Sequence, residues 1–92
     1  DLYIPLDGTD GRQLLADLQD SAEALAEGQL SLLDGIRLDF NDGFGIIRAS
    51  NTGPYLTARF DGETTEALIR IRQIFQSLVS QHHPTLAKHL VD

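Results

Sequence analysis

The chain has no cysteine, methionine or tryptophan among its 92 residues, and only seven Lys and Arg against fourteen Asp and Glu. Without Cys there is no disulfide framework and no thiolate metal site, and the cytoplasm is the expected compartment. The missing Met, with Asp at position 1, predicts an excerpt or a processed chain. A formal net charge of −7 argues against non-specific binding to nucleic acid or to an anionic membrane surface, since both need a basic face. No apolar run approaches the roughly 18 residues that span a bilayer, and no signal-peptide pattern is present. Neither nucleic acid nor membrane is therefore expected as a partner. An acidic chain that binds an anion must do so through a local cluster of its few cations.

At this length the expectation is one domain over 1–92, with a modest core. A short entering strand over 2–6 and a turn cluster over 7–11 precede the first helix. Leu14, Leu18, Ala22 and Leu25 recur at spacings of four, four and three, with Leu15 beside them, which predicts an amphipathic helix from Arg12 to about Glu27. Gly28 supplies its stop. Asp17, Asp20 and Glu23 fall largely off the apolar stripe and read as a solvated face rather than a metal cluster. Strands follow over 36–40, 44–48 and 55–60, with a weaker candidate over 30–33. Asp34-Gly35 and Asp42-Gly43 read as tight hairpin turns. Alternation puts Ile36, Leu38 and Phe40 on one face, and Leu56, Ala58 and Phe60 likewise. A second helix starts at Thr64 or Thr65, either of which can cap it, and runs through Leu68, Ile71, Phe75 and Leu78 to about Gln81. Beyond Pro84, residues 85–91 form a last helical turn or stay loose.

The run Arg48-Ala49-Ser50-Asn51-Thr52-Gly53-Pro54 carries the most chemistry. It gathers a guanidinium, two hydroxyls, an amide and a glycine, then ends in a proline that breaks regular structure. Forked donors beside hydroxyls and backbone N–H groups suit a phosphate dianion. The same residues also suit an ordinary polar turn between strands. If Asp42-Gly43 is a two-residue hairpin loop, positions summing to 85 lie opposite each other. Leu38 then faces Ile47 and Arg37 faces Arg48. Two like charges opposite each other make more sense if an anion visits them. The plainer reading leaves Arg37 exposed beside a carboxylate such as Asp39.

The stretch 34–54, with its DG-strand-DG-strand lead-in to R-x-S-N-T-x-P, closely resembles the C-terminal domain of the α-D-phosphohexomutases. It is most similar to the bacterial phosphomannomutase/phosphoglucomutase branch, and Asn51 favours that branch over the phosphoglucosamine mutases, whose loop usually carries Gly there. The resemblance implies an α+β, TATA-binding-protein-like fold, a four-stranded antiparallel sheet with two main helices on one face. It implies that the loop holds the phosphate of a hexose phosphate while a phosphoserine in another domain does the chemistry. Residue by residue, Arg48 would make a forked contact, and Ser50 and Thr52 would donate hydroxyls. Asn51 would give an amide N–H or brace the loop, and backbone N–H groups near Gly53 would complete the nest. The hairpin register, and not the resemblance, adds Arg37 as a supporting contact. Position 53 departs from the pattern, because many relatives carry Glu or another side chain where this chain has Gly. No phosphoserine motif and no aspartate-rich metal loop is present, so no catalytic residue and no metal ligand is assigned. The cofactor Mg²⁺ is expected in a full enzyme and none in this fragment. Expected partners are the hexose phosphate and the other domains of a longer chain.

His82, His83 and His89 have no Cys or clustered carboxylate beside them and read as surface or tail histidines. A rival of another class is a small α+β interaction or regulatory domain that uses its sheet face. Arg48, Arg59 and Tyr55 would be its anchors.

Overall fold

A computed structural model describes residues 2–25, 28–33, 35–50 and 53–90. Its strands are β1 (Leu2–Pro5), β2 (Gln29–Ser31), β3 (Ile36–Phe40), β4 (Gly43–Ala49) and β5 (Tyr55–Gly62). They form one sheet in the order β1-β5-β4-β3-β2, every neighbouring pair antiparallel. The sheet is thus five-stranded where four strands were expected. The two edge strands are only four and three residues long, too short for alternation to declare itself. What recruits β1 is Ile4, which is fully buried against β5.

Helix α1 (Gly11–Ala24) starts where Asp10 can cap it: its Oδ1 accepts from the backbone N–H groups of Arg12 and Gln13 at 3.0 and 3.3 Å. Leu14, Leu18 and Ala22 are buried as their spacing demands. The helix ends at Ala24, with Leu25 extended as its C-cap, so it stops short of the expected bound; Glu27 lies outside the described residues. The acidic face is solvated: Asp17 and Glu23 accept from Gln13 and Gln19 one turn earlier. Helix α2 (Thr65–His82) is capped by the Thr64 hydroxyl, which accepts from the Ala67 N–H at 3.0 Å. Its stripe of Ala67, Ile71, Phe75, Leu78 and Val79 is buried. A short helix α3 (Pro84–Ala87) and a 3-10 turn (Lys88–Leu90) follow, and their Leu86, Ala87 and Leu90 join the core. For residues 85–90 that burial decides between the two alternatives left open; Val91 lies outside the described residues. Among the described residues no helix is long and apolar enough to cross a membrane.

Both long helices lie on one face of the sheet. Ile36, Leu38, Ile47, Leu56 and Ala58 from the strands and Leu14, Leu18, Ile71, Phe75 and Leu78 from the helices form one apolar cluster. Phe60 and Phe75 meet edge to face, 5.3 Å between centroids. His82 and His83 serve this packing. The His82 Nε2 lies 2.6 Å from the Ser21 hydroxyl of α1, and the His83 Nε2 lies 3.0 Å from the Thr9 hydroxyl. They tie the end of α2 to its neighbours; His82 and His89 are exposed and His83 is half-buried.

The β3–β4 register differs from the one expected. Ile36 faces Ile47, Leu38 faces Gly45 and Phe40 faces Gly43, so opposed numbers sum to 83 and the turn is Asn41-Asp42. Arg37 faces Ile46, not Arg48. The cause lies in Gly43, which pairs with Gly62 of β5. A Cβ there would fall on the Asp61 carbonyl oxygen and come within 2.8 Å of Gly62 Cα and Ile71 Cδ1. This glycine is needed for close approach to β5, and the turn is made one residue earlier.

Candidate functional site

The alternation that buries one face leaves the other more open, with Ile46 alone buried among the open-face residues of β4. Three rows cross the open face of the sheet. Gln29, Asp39, Phe44 and Asp61 form the row near the Asn41-Asp42 turn; Ser31, Arg37, Ile46 and Arg59 form the middle row. Arg48, Thr57 and Tyr3 form the row nearest the 50–54 loop. Three of the chain's six arginines stand on this face, which makes it the basic side of an acidic molecule.

The 50–54 loop joins β4 to β5 and is closed at its base. The Ser50 N–H donates to the Tyr55 carbonyl at 3.1 Å and the Tyr55 N–H donates to the Gly53 carbonyl at 2.9 Å. The Leu6 N–H donates to the Pro54 carbonyl at 3.1 Å, which fastens the end of β1 to the loop exit. Of the expected site residues, the structure places Arg48 exposed on the last open-face position of β4, Ser50 half-buried at the loop entrance and Gly53 at its exit. Asn51 and Thr52 lie outside the described residues. The Ser50 N–H is used in closing the loop, so donors to a ligand must come from its hydroxyl and from the backbone beyond it.

Gly53 has a packing reason. A Cβ at position 53 would sit 2.6 Å from Tyr55 Cε1. The Tyr55 ring fills the space that a side chain would take, and it also meets the Tyr3 ring, edge to face at 5.2 Å and 76°.

Arg37 is on the same face as Arg48 but is engaged elsewhere. Its Nε and Nη2 donate to the Asp39 carboxylate at 3.0 Å each, and its guanidinium lies 4.2 Å from the centroid of the Phe44 ring. The hydrogen bond from Arg37 holds the Asp39 carboxyl below its ordinary value, and the same bond raises the Arg37 guanidinium. The plainer of the two expectations for Arg37 therefore describes it. A further ion pair, Arg70 with Asp42, links α2 to the β3–β4 turn, and hydrogen bonding from Arg70 likewise depresses Asp42.

A groove of about 300 Å³ runs over the open face between Ser31, Leu33, Arg37, Phe44, Ile46, Arg48 and Arg59. A larger cleft of about 700 Å³ lies at the opposite end of β4, around Phe40, Asp42 and Arg70. Its two carboxylates, Asp39 and Asp42, are those already committed to arginines. The smaller groove is the one with cations beside the loop. The floor residues Phe44 and Ile46 were not expected as site residues; the alternation of β4 with Arg48 was the signal that places them there. Tyr3 was missed because the pairing of its strand with β5, which brings it against Tyr55, has no local signal.

Residues 8–77 match the family described as Phosphoglucomutase/phosphomannomutase, C-terminal domain. The chain belongs to this family. The matched span takes in α1, the strands β2 to β5, the 50–54 loop and most of α2, and leaves β1 outside. A phosphoglucomutase of Neisseria meningitidis serogroup B is 38% identical over 76 residues, covering 83% of this chain and 16% of that protein. A phosphomannomutase/phosphoglucomutase of Pseudomonas aeruginosa is 47% identical over 51 residues, 55% of this chain and 11% of the relative. The crystal structure of a phosphoglucomutase/phosphomannomutase family protein from Burkholderia thailandensis superposes with a TM-score of 0.74 at 30% identity, covering 82% of this chain and 16% of that one. The phosphoglucomutase/phosphomannomutase C-terminal domain is thus about a sixth of the length of the first of these relatives. Its fold here, α+β with an antiparallel sheet, is the fold of that structural neighbour.

Proposed function

We propose that this chain is the substrate phosphate-binding module of a phosphohexomutase that interconverts hexose 6-phosphate and hexose 1-phosphate, with mannose, glucose or both as the sugar. The observation that carries the reading is the position of Arg48. It stands exposed at the end of β4, beside a loop whose base is closed by the Ser50–Tyr55 hydrogen bond, in a chain of the phosphoglucomutase/phosphomannomutase family. On this reading Arg48, Ser50, Asn51, Thr52 and Gly53 hold the phosphate that is not being transferred. Arg48 contributes a charge-assisted fork, and the hydroxyls and backbone N–H groups supply donors that read the phosphate and not the sugar. A site of that kind accepts either end of a bisphosphorylated sugar, as reorientation between two half-reactions requires. Its work is positioning and electrostatic clamping. Arg37, paired with Asp39, is left with a supporting electrostatic role.

The transferring phosphoserine and its Mg²⁺ belong, on this reading, to other domains of the whole enzyme. Among the described residues no three carboxylate or imidazole groups converge as a metal site, so these residues do not fit Mg²⁺ and no step here passes through it. This chain alone is expected to bind and not to catalyse, in the cytoplasm of its cell.

The test is an amide-resolved NMR titration of the chain. Mannose 1-phosphate is expected to shift residues 48–53, plain mannose is not, and Arg48→Ala is expected to lose the response. Silence of those amides at about 10 mM sugar phosphate would count against the site. The rival reading, an interaction domain with no catalytic role, draws its support from the open-face groove over Phe44 and Ile46. It expects no response to the sugar phosphate anywhere.

A further inference from the structure

We infer that Tyr3 and Tyr55 form a platform for the hexose ring, next to the phosphate loop; the inference rests on the phosphate reading above and adds to it the group that holds the sugar. Tyr3 is 63% exposed, although it projects from a strand whose neighbours on either side, Leu2 and Ile4, face the core. Of the exposed large apolar side chains described, it is the one beside the loop. Its ring is not adrift. The edge-to-face contact with Tyr55 fixes its orientation, and Tyr55 is in turn packed against Gly53.

The register supplies the distances. Tyr3 and Arg48 flank Thr57 from opposite sides on adjacent strands. Two strand spacings place their Cα atoms about 10 Å apart. A phosphate held at Arg48 and the loop leaves room for one pyranose ring between the guanidinium and the tyrosines. Such a ring presents a face of C–H groups, and an aromatic face carries the complementary negative quadrupole. Tyrosine suits a half-wet site, having an apolar body and a polar tip. The Leu6 N–H bond to Pro54 keeps β1 at a constant offset from the loop, so phosphate and platform are held in register. Gly53 belongs to the same device: a side chain there would displace Tyr55 from beneath Tyr3.

The experiment titrates the chain with inorganic phosphate, glycerol 3-phosphate and mannose 1-phosphate, following the amides of residues 48–53 and the ring protons of Tyr3. All three ligands are expected to move the amides, and only mannose 1-phosphate to move the Tyr3 ring. Tyr3→Leu is expected to weaken mannose 1-phosphate about two- to tenfold with glycerol 3-phosphate unchanged, and Tyr3→Phe to keep the wild-type affinity. Amides that respond while the Tyr3 ring stays silent, or a Tyr3→Leu variant that loses both esters equally, would overturn the platform and leave the phosphate site standing. No response at either place would overturn both.

Discussion

On the helix side of the sheet Ile36, Leu38, Ile47, Leu56 and Ala58 are all buried, while on the other side their immediate neighbours Arg37, Arg48, Thr57 and Arg59 are exposed or half-buried. Backbone geometry cannot account for the contrast, because the same strands supply both sets. The difference lies in what each face has to satisfy. The covered face is held by close packing, where each side chain is fitted to the next. The open face is free of that demand: Arg37 is paired there with Asp39, and on the proposed reading Arg48 is the cation that meets a ligand. A substitution on the first face should therefore be read in stability, and one on the second in binding.

The largest expected effect tests the covered face. Phe75 is 1% exposed and meets Phe60 edge to face. Phe75→Ala should cost about 3–5 kcal/mol in urea unfolding, through lost burial and the cavity left behind. A loss below about 1 kcal/mol would mean that α2 is not seated on the sheet as described. Next in size is Gly43→Ala. The added methyl must displace the Asp61 carbonyl or the Ile71 side chain, and about 1–3 kcal/mol of destabilisation is expected. If the variant were neutral, the glycine would not explain why the turn falls at Asn41-Asp42.

These two sites show what could be read from the residues. The stripes of α1 and α2, the cap at Thr64 and the core faces of β3 and β5 follow from period and capping chemistry alone; the Asp10 cap of α1 emerged only with the fold. The β3–β4 register did not. An Asp-Gly pair carries a strong local turn signal, yet Gly43 is claimed by a backbone 19 residues further on, at Gly62, and no local pattern reports that. The edge strands were marginal for a related reason, since three or four residues show too little alternation, and only the burial of Ile4 reveals β1 as part of the sheet. That residues 50–54 link two strands was legible through their residue types. The loop's brace was not, because Tyr3 reaches Tyr55 only once β1 has paired with β5.

Arg48→Ala brings the two faces into direct opposition. On an exposed strand end it should change stability by less than about 0.5 kcal/mol. The same change should weaken mannose 1-phosphate about ten- to a hundredfold, the worth of a hydrogen bond to a charged group. A variant that unfolds as readily as Phe75→Ala would erase the distinction between a packing face and a binding face.

The smallest effect concerns acid. Asp39 and Asp42 both have carboxyls lowered from the ordinary 3.8 by hydrogen bonds from arginine. A carboxyl depressed in the folded state contributes stability that is fully present above its unfolded value and is lost as pH falls through the folded one. Unfolding followed from pH 5 downward should therefore show a small loss that begins near pH 3.8. The two pairs should not contribute equally. Arg37 and Asp39 are two residues apart on one strand, close together even when the chain is unfolded, so folding adds little to their attraction. Arg70 and Asp42 are 28 residues apart and meet only when α2 lies over the β3–β4 turn. Asp42→Asn should flatten the acid limb more than Asp39→Asn does. The reverse order would mean that the open face carries more of the fold's electrostatic stability than the helix-covered side, against the division drawn between them.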